Sequence, residues 1–77
     1  MSQRDLVHVT TALGRLGGGR AGVGVAVAEI DRAIGRGHGD MRTPLNLQSL
    51  VAAGHVEQLD DGTWALTDAG VARVVPD

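Results

Sequence analysis

The chain has 77 residues and a net charge of −2, which allows one small domain and leaves out the whole-domain basic field usual in nucleic-acid binders. It contains no Cys, which excludes a disulfide framework, thiol catalysis and a Cys-based zinc site. Its apolar residues are Val, Leu, Ile, two Met and ten Ala around a single aromatic, Trp64, a thin core that a partner or second subunit could complete.

Ser2 followed by Asp5 reads as a capping-box-like start. Leu6, Val9, Leu13 and Leu16 then recur at helical spacing, and Gly17-Gly18-Gly19 stops the helix, which is expected over 3–16. Residues 17–24 form a Gly-rich loop. Gly17, Gly19 and Gly22 match G-x-G-x-x-G, but a helix stands where the dinucleotide fingerprint needs a strand, and there is no Lys for a phosphate loop. Val23, Val25 and Val27 alternate, then Val27, Ile30 and Ile34 switch to a helical period. This predicts a short extended segment and a second helix over 25–36, with Arg32 and Arg36 on its outer face. Three glycines between Gly35 and Gly39 end it.

Thr43-Pro44 signals the start of a third helix, with Thr as cap and Pro at the first helical position. Leu47, Leu50 and Val51 are its expected buried stripe, and Gly54 stands where a left-handed cap belongs. Asn46, Gln48, Ser49, Ala52 and Ala53 are placed on the opposite face. A strand over 55–59, a turn at Asp60-Asp61-Gly62 and a returning strand over 63–66 make a hairpin whose register stays open. Thr67-Asp68 caps a last short helix carrying Val71 and Val74, and Pro76-Asp77 follow it.

Leu47-Gln48-Ser49-Leu50-Val51-Ala52-Ala53-Gly54-His55-Val56-Glu57 and Asp61-Gly62-Thr63-Trp64-Ala65-Leu66-Thr67-Asp68-Ala69-Gly70 carry a resemblance. They look like the "L-x-x-L-x-x-x-G-h-V-E … D-G-x-h-x-L-T-x-x-G" signature of the winged helix-turn-helix superfamily, in small regulators of the MarR, PadR and ArsR kind. The specific part spans about 30 residues. The resemblance implies an α+β fold: three helices, a two-stranded β-hairpin wing and a short C-terminal helix. It also implies a double-stranded DNA-binding domain with a transcriptional-regulatory role, its third helix in the major groove. Thr43, Asn46, Gln48 and Ser49 would then lie on the reading helix, with the amides and Ser49 at base edges, and Arg32, Arg36 and Arg42 on phosphates.

Two features depart from that pattern. The third helix carries no cation after Arg42, and the wing tip is Asp60-Asp61, which a phosphate backbone would repel. The alternative is a winged-helix protein-interaction or dimerisation module, supported by a neutral third helix and an acidic C-terminal half. A homodimer or a protein partner is expected, with Val23 to Val27, Val71, Val74 and Val75 as candidate apolar surface or simply as core. His8, His38 and His55 are widely spaced with no metal-binding pattern, so no enzyme, metal or cofactor is expected. The chain shows no secretory signal and no run that spans a bilayer, so a cytoplasmic location and no membrane partner are expected.

Overall fold

The computed structural model describes residues 3–37 and 39–74. The expectations on Ser2, His38, Val75 and Pro76-Asp77 lie outside these residues. The described chain is α+β, with four helices and one two-stranded antiparallel hairpin: α1 (Gln3–Leu16), α2 (Val27–Ala33), α3 (Arg42–Ala52), β1 (Val56–Gln58), β2 (Trp64–Leu66) and α4 (Asp68–Arg73). This order is compatible with a winged-helix layout.

α1 has the expected bounds. It buries Val9, Ala12 and Leu13 against α2, α3 and β2, while Leu16, expected in the same stripe, is 41% exposed at the helix end. α2 is shorter than expected. Val25 cannot begin it, because its N–H and C=O both bond Trp64, at 2.8 and 2.9 Å. The helix ends where Gly35 takes a φ of +76°, letting the Arg36 N–H reach back to the Asp31 carbonyl at 2.8 Å. The α3–β1 junction repeats the device: Gly54 has a φ of +82° and the His55 N–H bonds the Leu50 carbonyl at 2.9 Å.

The start of α3 differs from the sequence expectation. The helix begins at Arg42 with Met41, not Thr43, as its N-cap residue, and Pro44 is its third residue; Asp40, just before the cap, accepts the Arg42 N–H at 2.9 Å. Thr43 lies inside the first turn and is fully buried.

In the hairpin, Val56 pairs with Leu66, Glu57 with Ala65 and Gln58 with Trp64. Asp60, Asp61 and Gly62 form the three-residue loop. Gly62 has positive φ, and Asp61 accepts bonds from the Thr63 N–H and hydroxyl, so the acidic pair includes a turn-forming carboxylate. β2 lies between β1 and the Val25 bridge and is buried along its whole length. Trp64 is thus the anchor, joining the segment before α2 to the hairpin. Thr67 caps α4 by accepting the Gly70 N–H at 3.1 Å, and Gly70 sits so close to the His55 carbonyl that a Cβ would overlap it. Val25, Val27, Val71 and Val74 all pack in or against the core, so these valines fill the domain's own interior, and Val23 alone of the described set is exposed.

Among the described residues, no helix is long and apolar enough to cross a membrane.

Candidate functional site

The sequence points to α3 and its approach as the working surface. Residues 43, 46, 47 and 50 follow the spacing of one helix face and are the positions α3 buries. Asn46 is only 1% exposed, which corrects its expected place on the outer face. Val51, expected inside, is 41% exposed.

Apart from Thr10, which donates to the Leu6 carbonyl within α1, the buried polar side chains described form one connected cluster. The Arg36 guanidinium, on a side chain 7% exposed, donates from Nη1 to Thr43 Oγ1 and to Asn46 Oδ1, both at 2.9 Å. Its Nη2 stands 3.5 Å from the Asp5 carboxylate on α1. The Thr43 hydroxyl in turn donates to the buried Asp31 carboxylate on α2. Side chains from α1, α2, the loop after it and α3 therefore meet in a charged, hydrogen-bonded knot. Among the described residues, no buried side-chain nitrogen or oxygen lacks a partner. This is the satisfied state that a buried charge requires.

Three of the expected DNA contacts are thus interior. Arg36 does not stand on the outer face of α2, and Thr43 and Asn46 do not face solvent. Arg42 does, but its Nε and Nη2 hold both oxygens of Asp40, the closest at 2.7 Å. That hydrogen bond, helped by the Arg42 N–H, holds the Asp40 carboxyl at about 2. The local charge of Arg42 is therefore offset by a carboxylate two residues away. Arg32 and Gln48 are exposed as expected, and Ser49 is half-buried, lining a cavity against α1.

The outward line of α3 is Met41 at its cap, then Leu45, Gln48 and Ala52. Spacings of four, three and four at about 100° per residue keep these within roughly 60° of arc. Met41 is 72% and Leu45 50% exposed. Sequence reasoning missed this pair because the Leu47 and Leu50 stripe drew attention to the other face. The 41, 45, 48, 52 spacing was the available signal. β1, which packs on α3, exposes Glu57 and Gln58, and the hairpin loop exposes Asp60 and Asp61. The Asp61 carboxyl is held below the usual range by the Thr63 hydroxyl and N–H. The outer face of α3 is thus neutral and partly apolar, and the hairpin exposes carboxylates. Among the described residues, no three His, Cys, Asp or Glu side chains form a group that could hold a metal ion.

Compared with protein-family models, curated proteins and solved structures, the chain matches none.

Proposed function

We propose that the chain is a winged-helix domain that docks onto another protein through the outer face of α3. The observation that carries this reading is the exchange of roles on α3: its polar Thr43 and Asn46 are spent inside, while Met41 and Leu45 face solvent. Affinity for DNA comes largely from cations beside phosphates. Here Arg36 is interior, Arg42 is paired with Asp40, and Glu57, Asp60 and Asp61 are exposed on the hairpin. An apolar strip on α3, in a domain whose hairpin exposes carboxylates, fits a protein surface that carries an apolar ridge and Lys or Arg.

The second reading, a double-stranded DNA-binding domain with a regulatory role, is favoured by the exposed Gln48 at the centre of α3 with Arg42 at its start and Arg32 on α2. It would leave base recognition to Gln48 and the half-buried Ser49.

The test uses a basic amphipathic helical peptide of Leu and Lys in heptads, titrated against the whole chain and followed by Trp64 fluorescence and NMR. Binding about tenfold weaker in Leu45→Asp, and weaker for a Leu/Glu peptide of the same pattern, is expected. Equal binding of both peptides, or no effect of Leu45→Asp, would overturn the reading.

A further inference from the structure

Away from the outer face of α3, a cavity of about 300 Å³ lies between α1, the C-terminal half of α3 and α4. That volume is at the small end of ligand sites, which run from roughly 300 to 1,000 Å³. Leu6 and Val7 of α1 and Leu50 of α3 supply apolar wall, and Ser49, His55 and Arg73 supply polar groups. Val7 is 46% exposed while lining it, so the cavity offers apolar surface to solvent. In a chain with nine acidic residues, no Asp or Glu is among the described residues that line it. An apolar wall with a few polar side chains and one guanidinium is the make-up of a site for an amphipathic anion.

We propose that this cavity binds a small carboxylic acid with an apolar body, the body against Leu6, Val7 and Leu50 and the carboxylate at Arg73 and His55. A carboxylate fits better than a phosphate monoester, because a single guanidinium matches one negative charge and its fork pairs with two carboxylate oxygens. Bound there, the acid ties α4 to α1 and to the end of α3. Its lining includes neither Met41 nor Leu45.

Octanoate is the probe, added below its micelle concentration to the full chain and followed by NMR shifts, with octylammonium as the charge-reversed control. Saturable octanoate shifts at residues 6–11, 49–55 and 73 are expected, with octylammonium binding at least about tenfold weaker. Arg73→Gln, and separately Val7→Glu, should each weaken octanoate about tenfold without moving the thermal midpoint. Equal affinity for the two probes would overturn the proposal, as would octanoate binding that ignores both substitutions or no octanoate shifts at all.

Discussion

Replacing Arg36 by Met separates an interior role for this residue from a role on DNA. Met keeps much of the apolar stem and removes only the guanidinium, so packing changes little. Two hydrogen bonds are lost, to Thr43 Oγ1 and Asn46 Oδ1, and the Asp31 carboxylate keeps Thr43 but loses the nearby cation behind it. Hydrogen bonds to a charged group are each worth about 1.5–3 kcal/mol, and breaking a buried ionic cluster from one side costs about 3–5 kcal/mol. We therefore expect a loss of about 3–5 kcal/mol, from a total that for 77 residues is roughly 4–12 kcal/mol. At about 4–8 °C per kcal/mol, the thermal midpoint falls by at least about 12 °C. Urea and thermal melts followed by Trp64 fluorescence and circular dichroism read this directly. Arg32→Met, on the exposed side of α2, is the control and should stay within about 0.5 kcal/mol. An Arg36→Met protein as stable as that control would refute the cluster and return Arg36 to the surface.

Trp64→Ala should cost about 3–5 kcal/mol and unfold much of the population, because Trp64 is 7% exposed between the Val25 bridge and the hairpin; a loss under about 1 kcal/mol in urea melts would contradict that placement. Gly54→Val should cost about 1–2 kcal/mol through its φ of +82° alone, since nothing crowds a Cβ there; an unchanged melting curve would deny that conformation. The Asp40 carboxyl should titrate by NMR near 2 and return toward 3.8 in Arg42→Gln. Because its folded value is depressed, the stabilisation from its bonds to Arg42 is complete above pH 3.8 and is lost as pH falls through about 2, and an unchanged titration in Arg42→Gln would remove Arg42 as the cause.

Much of the fold was legible because local chemistry fixed it. Gly54, Asp60-Asp61-Gly62 and Thr67 each do what their residue type dictates on its own: a left-handed cap, a hairpin loop, an N-cap. The site was less legible, because its polar residues depend on partners far away in sequence. Asn46 and Thr43 look like surface residues until Arg36 and Asp31 are brought to them from α2 and its loop. A pattern that sorts residues by polarity places them outside, whereas the spacing 43, 46, 47, 50 alone places them inside. Thr43 does not cap α3 for a similar reason, since it is drawn inward by Asp31. The length of α2 was likewise set by a distant strand, as Val25 is taken by Trp64.

The most direct test of the proposed role of α3 is binding of the whole chain to a random-sequence DNA duplex at low and at moderate salt. The non-specific electrostatic attraction of a DNA reader is strongest at low salt and falls steeply as salt rises. With Arg36 interior, Arg42 held by Asp40 and carboxylates exposed on the hairpin, we expect no binding at either salt. Salt-sensitive association, with NMR shifts at Arg42, Leu45 and Gln48, would contradict the account and make α3 a reading helix.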